Sequence, residues 1–476
     1  MPVQKFAPMS KKFPTFDCDA HVTEPPWLWE RAKDWLTRDE LEALKSTIWF
    51  DKESDQLIIN GKAGAGIGSV QRLHGMPGAV NVGSVAGPGL RHDIQRALNV
   101  RNLKPETALT AEQADYIDHK GSYEPKPRLK DMDVQGIDQV MIVPSDIDTY
   151  PWLQNAVGAK AMCKAYNEWA YEYCQENPER LYFAAMLPMQ DPKFAEQEVY
   201  RVAAKGCRVG LVRPIDAMGN YPIQPKYDRV WEAMQDTGMV YGMHPFPAFG
   251  SLKPPGYTEQ HSGAELIGLA AFSSGLPHNF LVNVQDFQAE ASLWVAMVLM
   301  TGFFERYTKL RAAVFEASST WLSFVLDECD KHYRLYRNER QLPPLKRLPR
   351  ETFLEHCVTG FEGDEAPPSR LPEFYENILA WSSDVYHHDG DDAWRAIETM
   401  RKCELPEKYQ AQFLGANARK LYKIDAPKKF ISDRVTEIER PDWWPTAEEV
   451  KESLKPEAAV LPHHANFSFG VGSGGR

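Results

Sequence analysis

Close to its N-terminus, the chain carries acidic and imidazole side chains at the spacing expected of a metal-binding strand. Residues 15–21 read Thr-Phe-Asp-Cys-Asp-Ala-His, and alternate residues of a β-strand point to the same side. Asp17, Asp19 and His21 are therefore expected to share one face. Carboxylate oxygens and imidazole nitrogens both bind divalent metals, at about 2.0–2.2 Å. We predict that Asp19 and His21 bind a metal ion; because the motif is so short, a surface strand end with solvated charges is an equal alternative.

Three later apolar segments also end in an ionisable residue. His244 follows one of them and precedes a proline, Glu316 ends the second, and Asp384 ends the third, with His387 three residues further on. An unpaired carboxylate buried at a strand end is costly, and metal coordination is one common remedy. Taken alone, each residue fits a structural role better. The four strand ends together favour one shared metal site.

The elements that must position these residues alternate regularly after residue 123. Strand-like segments cover residues 139–143, 181–187, 210–213, 240–244, 310–316 and 378–384, and helix-like segments cover 161–176, 194–204, 227–235, 292–301, 321–334 and 414–422. Such alternation predicts right-handed βαβ units and a parallel sheet. We predict an α/β fold of the (β/α)₈ TIM-like barrel type, with the site at the C-terminal ends of the strands. A doubly wound sheet would show the same alternation.

Two regions interrupt this pattern and suggest the domain organisation. We predict a barrel domain over residues 14–425, with a long insertion at 30–122 after the first strand, and a C-terminal extension over 426–476. The chain looks irregular from residue 27 to about residue 120. Its Gly-rich run, 61–89, lacks a phosphate-loop motif, so we expect a lid or packing insertion and no nucleotide cofactor. Trp443 and Trp444 are expected to dock on the barrel or on a partner subunit.

The composition excludes several classes of partner. The formal net charge is −12, and the lysines and arginines are scattered, so neither nucleic acid nor an anionic membrane is an expected partner. No apolar run approaches the roughly 20 residues of a membrane span, and no secretory signal is evident. The seven cysteines are dispersed without a CxxC pair. They are read as reduced thiols of a cytoplasmic protein.

The order and spacing of these motifs resemble the amidohydrolase-related metal enzymes, close relatives of the aminocarboxymuconate-semialdehyde decarboxylase type. The resemblance spans most of residues 16–422 and is carried by residues 17–26, 302–306, 315–321, 383–387 and 417–422. It implies that Asp19, His21, His244 and Asp384 bind the metal. The chain departs from the family twice. Asp19-Ala-His21 stands where H-x-H or E-x-H is usual, and Glu316 stands where decarboxylase-type members have a catalytic histidine.

Two kinds of metal chemistry follow from the resemblance. The first is slightly favoured because it is the commoner chemistry in the family. In it, one divalent ion such as Zn lowers the pKa of bound water toward ~7 and polarises a carbonyl. Asp384 would then serve as ligand and base in hydrolysis, or in non-redox C–C or C–N cleavage, of a small carboxylate-bearing substrate. Arg213 is a candidate for clamping the substrate carboxylate, with a structural ion pair as an equal alternative.

The second chemistry resembles the small oxygenase branch of the family, which includes 2-aminoisobutyrate hydroxylase and a diterpenoid-modifying dinuclear iron monooxygenase. The candidate ligands are rich in oxygen, which suits Fe or Mn: Asp19, Glu316 and Asp384, with His21, His244 and also His278, His387 or His388. Glu316 would bridge two ions, and the residues themselves favour this alternative. A third possibility is a scaffold subunit of a hetero-oligomer. A homo- or hetero-oligomer is expected in each case.

Overall fold

The computed structural model describes most of the chain: residues 3–51, 56–63, 116, 120–145, 153, 155–214, 220–245, 284–285, 287–339, 342–387, 390–444, 446, 448 and 451. The predictions for His278 and His388, for nearly all of the Gly-rich run 61–89 and for the terminal tail lie outside the described residues. Every structural statement below concerns the described residues.

The strands of the described part form three sheets. In chain order they are β1 (Val3–Lys5), β2 (Phe16–His21), β3 (Ile48–Asp51), β4 (Gln56–Ile59), β5 (Lys62–Ala63), β6 (Gln139–Val143), β7 (Leu181–Met186), β8 (Val209–Val212), β9 (Val240–Met243), β10 (Ala312–Val314), β11 (Cys357–Glu362), β12 (Leu379–Ser382) and β13 (Glu437–Glu439). The largest sheet has eight strands in the order β12-β11-β10-β9-β8-β7-β6-β2. Its paired strands are all parallel.

This sheet curls into a nearly closed barrel. At the seam between its two outer strands, the backbone N–H of Asp384 donates to the carbonyl of Asp19 at 3.1 Å. The N–H of His21 donates to the carbonyl of Val385 at 2.6 Å. Right-handed crossovers through helices place the C-terminal ends of parallel strands at one end of a barrel. The predicted (β/α)₈ fold is confirmed.

Helices connect the barrel strands and cover them. They are α1 (Pro26–Trp35), α2 (Arg38–Thr47), α3 (Pro125–Gln135), α4 (Ala156–Cys174), α5 (Pro192–Ala203), α6 (Asp228–Thr237), α7 (Phe287–Met300), α8 (Phe303–Arg306), α9 (Trp321–Tyr336), α10 (Pro349–His356), α11 (Pro367–Arg370), α12 (Pro372–Tyr375), α13 (Ala393–Lys402), α14 (Glu407–Ala411) and α15 (Asn417–Tyr422). Short polar residues begin four of them, because the Thr37, Asn155, Asp191 and Asp392 side chains accept backbone N–H groups of the first turn. None of the helices in the described ranges is long and apolar enough to cross a bilayer.

Two buried clusters separate the interior of the barrel from its outer layer. A large one fills the space between strands and helices. A small one includes Phe16, Met141, Val209 and Ala313 from four barrel strands, together with Tyr422 of the closing helix α15. The rings of Phe16 and Tyr422 lie 5.5 Å apart. The interior of the barrel is therefore packed with apolar side chains.

Several elements of the fold differ from the sequence-based expectation. Strand β11 lacks an apolar run, because Thr359 and Gly360 interrupt it. Gly360 permits close packing, since a Cβ there would lie 3.3 Å from the carbonyl oxygen of Val314. The region from residue 27 was expected to be irregular, and this was wrong for its first part, which forms α1, α2 and the antiparallel sheet of β3, β4 and β5.

The C-terminal extension contacts other parts of the chain. Its strand β13 pairs antiparallel with β1, so the C-terminal extension and residues that precede the barrel form a two-stranded sheet. Trp444 is buried, and its ring lies 5.8 Å from the ring of Tyr116 and 4.4 Å from the guanidinium carbon of Arg440. All seven cysteines lie in the described part of the chain and are free thiols, and all but Cys403 are buried.

Candidate metal centre

Six of the predicted site residues gather at the mouth of the barrel. They come from the ends of four strands: Asp19 and His21 from β2, His244 after β9, Glu316 after β10, and Asp384 and His387 after β12. They form two overlapping groups, Asp19-His21-His244 and His21-Glu316-Asp384-His387, in each of which the potential ligand atoms lie within 4.8 Å of one another.

Two of the imidazoles have their tautomer set by a backbone carbonyl. Nδ1 of His21 lies 3.0 Å from the oxygen of Pro144, and Nδ1 of His244 lies 2.8 Å from the oxygen of Pro245. A carbonyl can only accept, so each Nδ1 carries the proton. Burial lowers the pKa of His244 to about 3. Burial, with His387 and His244 nearby, also lowers the pKa of His21 well below its usual value. Both rings are therefore neutral, with a lone pair on Nε2.

These lone pairs face carboxylate oxygens. Nε2 of His244 lies 3.1 Å from Oε2 of Glu316, and Nε2 of His21 lies 3.3 Å from Oδ1 of Asp384. Asp19 lies between the rings, at 4.0 Å from Nε2 of His21 and 3.9 Å from Nε2 of His244. Within the described residues, neither Nε2 makes a hydrogen bond. Two hydrogen-bond acceptors that face each other at these distances repel unless a cation lies between them. This set of nitrogen and oxygen ligand atoms therefore fits a divalent ion.

The two aspartates of the first strand have different surroundings. Burial and the charge of Asp17 raise the pKa of Asp19 to about 8. Burial likewise raises the pKa of Asp17 to about 6, although Ser383 donates to it through Oγ at 2.5 Å and through its backbone N–H at 3.0 Å. The register of β2 against β6 shifts between Asp17 and Ala20. Asp17 is therefore tied to Ser383, whereas Asp19 and His21 join the cluster.

Glu316 and Asp384, which carry two of the carboxylates of the centre, have a strained backbone. Glu316 has φ = 41° and Asp384 has φ = 53°, in the left-handed region that non-glycine residues seldom adopt. The turn after Glu316 is held by Glu365, which accepts hydrogen bonds from the backbone N–H of Ser319 at 3.0 Å and from its Oγ at 2.8 Å. Strain of this kind is maintained by its surroundings and concentrates at functional sites.

Comparison with known proteins agrees with the fold. Residues 16–424 match the family model described as amidohydrolase. The chain belongs to the amidohydrolase family. This match covers every strand of the barrel and each of the six clustered residues.

Solved structures resemble this amidohydrolase at low sequence identity, so they support the fold alone. An amidohydrolase from Mycobacterium avium subsp. paratuberculosis K-10 matches with a TM-score of 0.62 and 16% identity over 86% of this chain and 99% of that chain. The 5-carboxyvanillate decarboxylase of Sphingomonas paucimobilis matches with a TM-score of 0.55 and 17% identity, over 87% and 100% of the two chains. That of Novosphingobium aromaticivorans, solved with bound manganese, matches with a TM-score of 0.55 and 16% identity, over 86% and 97%.

Arg213 of this amidohydrolase lies at the end of β8 and has an ionic partner. Its Nη2 is 3.0 Å from Oε1 of Glu290 on α7, and both side chains are buried. The structural ion pair considered for Arg213 is therefore present. A contact with a substrate carboxylate stays a prediction. The Arg213 charge also reaches the centre, where it contributes to lowering the pKa of His244.

Several residues around the centre escaped the sequence analysis. Ser145 contacts Nδ1 of His21 at 3.0 Å, Arg128 donates to the backbone carbonyl of His21 at 3.0 Å, and Ser383 and Glu290 make the contacts described above. Each acts across a long stretch of chain. Because no local periodicity reports such a contact, the sequence carried no signal for them.

Proposed function

We propose that this amidohydrolase is a divalent-metal-dependent enzyme that cleaves a small, carboxylate-bearing organic substrate by hydrolysis or by non-redox C–C or C–N cleavage. The observation that carries the proposal is the convergence of two neutral imidazole Nε2 atoms, of His21 and His244, on the buried Asp19. Asp384 would complete the ligand set. The fold shared with decarboxylases of aromatic carboxylates supports the substrate class.

The residues around the centre would divide the work of such a reaction. When bound, a divalent ion supplies Lewis acidity toward a carbonyl or carboxylate oxygen. Asp384 would accept a proton and could pass it to His387, whose Nδ1 lies 2.8 Å from Oδ1 of Asp384. Arg213 would orient the substrate carboxylate from the end of β8, while Glu290 holds the guanidinium.

The position of Glu316 favours a second candidate function, an O₂-dependent dinuclear Fe/Mn hydroxylase acting on a small amino or carboxylic acid. Its Oε2 lies 3.1 Å from Nε2 of His244, while its Oε1 lies 3.8 Å from Nδ1 of His387. The carboxylate thus lies between two imidazoles and would hold two ions together with them. The two ligand groups also share His21. A pair of redox-active ions supplies the activation of O₂ when bound.

Metal analysis by mass spectrometry separates the two candidates. The protein is purified without chelator from cells replete in zinc, iron and manganese. One ion per chain that is lost in His21→Ala and retained in Glu316→Ala supports the first function. Two Fe or Mn ions per chain, reduced by Glu316→Ala, support the second. The control variant is His332→Ala, whose imidazole is exposed on α9 and contacts Glu328.

Two other outcomes bear on the proposal. Metal at the level of a blank in the wild-type protein would contradict both candidates and leave a scaffold subunit of a hetero-oligomer. Such a subunit would copurify with a homologous chain, and activity would require the mixture. Equal loss of metal in His332→Ala and His21→Ala would also count against both, since it would indicate a site elsewhere.

A further inference from the structure

A buried cation lies directly behind the candidate metal centre. Arg128 is on α3, which precedes the second barrel strand along the chain, and only 2% of its surface is exposed. Its Nη1 donates to the backbone carbonyl of His21 at 3.0 Å. The end of β2, which carries the His21 imidazole, is thus attached to α3.

The same helix contacts the segment after β12. The guanidinium carbon of Arg128 lies 4.8 Å from the ring centroid of Tyr386. One turn further along α3, Asp131 accepts a hydrogen bond from the Tyr386 hydroxyl at 2.5 Å. Tyr386 lies between Asp384 and His387 in the chain, so α3 also holds the turn that presents these two side chains.

The spacing of His21, Asp384 and His387 depends on the distance between the end of β2 and the segment after β12. The His21 ring stacks on the ring of His387 with centroids 3.7 Å apart, and Nε2 of His21 lies 3.3 Å from Oδ1 of Asp384. Ligand distances in a metal site are constrained to within about 0.2 Å. A small separation of the end of β2 from the turn would therefore weaken the site.

We propose that Arg128 is a positioning residue of the metal centre: by holding the His21 carbonyl and the Tyr386 ring together, it sets the spacing of His21, Asp384 and His387. The inference rests on the metal centre of the proposed function and adds to it a residue that touches no ligand atom. Guanidinium suits this task because its planar fork can hydrogen-bond in its plane while its face stacks on an aromatic ring.

Position and charge would affect ion binding in opposite directions. As a cation, Arg128 repels a divalent ion, so removal of its charge alone would strengthen binding. Loss of its contacts would weaken binding. Arg128→Lys retains the charge but replaces the planar fork by a single ammonium, which cannot make both contacts in the same way. This variant therefore isolates the positioning effect.

Titration calorimetry of the full-length, chelator-treated protein with Mn²⁺ tests the proposal. We expect Arg128→Lys to weaken Mn²⁺ binding by about 10–100-fold, the range for residues that orient metal ligands. We expect Tyr386→Phe, which removes only the hydroxyl that binds Asp131, to shift affinity in the same direction by less. The control is Arg401→Lys, because Arg401 lies on α13 and donates to the backbone carbonyl of Ser10 at 2.6 Å.

The outcomes are distinct. Wild-type Mn²⁺ affinity in both Arg128→Lys and Tyr386→Phe overturns the positioning role while the metal centre stands. Equal weakening in Arg401→Lys also overturns it, because the effect would then be general. No Mn²⁺ binding by the wild-type protein contradicts the metal centre itself. If Arg128→Lys fails to fold, Tyr386→Leu, which removes the ring that Arg128 contacts, decides, and wild-type affinity in that variant overturns the proposal.

Discussion

The Nε2 atom of His244 faces Oε2 of Glu316 at 3.1 Å with no proton available from the imidazole. The His244 N–H is directed at the carbonyl of Pro245, so both atoms that face each other are acceptors. The contact between Glu316 and His244 therefore destabilises the fold without a bound cation and stabilises it when both atoms bind one.

Glu316→Gln should therefore change the metal-free and metal-loaded proteins in opposite directions. The amide can donate to Nε2 of His244, which would raise the free energy of unfolding of the metal-free protein by about 1 kcal/mol. The loss of a carboxylate should reduce the additional stability that Mn²⁺ confers. Thermal unfolding with and without Mn²⁺ measures both effects. Glu407→Gln, at an exposed ion pair with Lys12, is the control. Destabilisation of the metal-free variant would contradict the tautomer assigned to His244.

We expect the folded protein to lose stability in acid because the carboxylate of Glu40 becomes protonated. Burial raises the pKa of Glu40, but hydrogen bonds from the Thr37 backbone N–H and from Lys164 and Lys160 outweigh it and lower the pKa from 4.5 to about 2. These lysines are on α4, so Glu40 links α2 to the barrel layer. A pKa lower in the folded than in the unfolded state gives stability that is present above about pH 4.5 and lost as the pH falls toward 2.

We expect Glu40→Gln to lower the free energy of unfolding at neutral pH by about 1–2 kcal/mol, a value reduced for solvent screening of a carboxylate that water partly reaches. The difference from wild type should shrink steadily below about pH 4. Urea denaturation across this pH range measures it. Glu42→Gln, in an exposed pair with Arg38, should change stability by less than about 0.5 kcal/mol at any pH. A Glu40→Gln effect that is constant with pH would exclude ionisation as the cause.

Two glycines with the same backbone conformation should differ in their tolerance of a methyl group. Gly136 ends α3 with φ = 75°, and a Cβ there would lie 2.6 Å from the Trp394 ring. Gly206 has φ = 87° and no atom within 4 Å of such a Cβ. We expect Gly206→Ala to cost about 1–2 kcal/mol from backbone strain alone. Gly136→Ala should cost about 1–3 kcal/mol more from overpacking. Denaturant unfolding of both variants measures the difference, and equal losses would show that Trp394 can move aside.

The sequence by itself determined the barrel and most of the candidate ligands. Alternating strands and helices leave few topologies, and a parallel barrel places the ends of its strands at one mouth. His244, Glu316 and Asp384 could therefore be assigned to one site, because each ends an apolar segment. His387 followed from its place three residues after Asp384.

Only the tertiary structure decided which neighbours tune that site. The register of β2 against β6 shifts between Asp17 and Ala20, and Asp17 binds Ser383 instead of joining Asp19 in the cluster. Glu290 reaches Arg213 from 77 residues away, and Arg128 reaches His21 from 107 residues away. Periodicity reports which face of an element is buried. It carries no information about the side chain that a distant element brings against that face, because the packing of the whole barrel settles that contact.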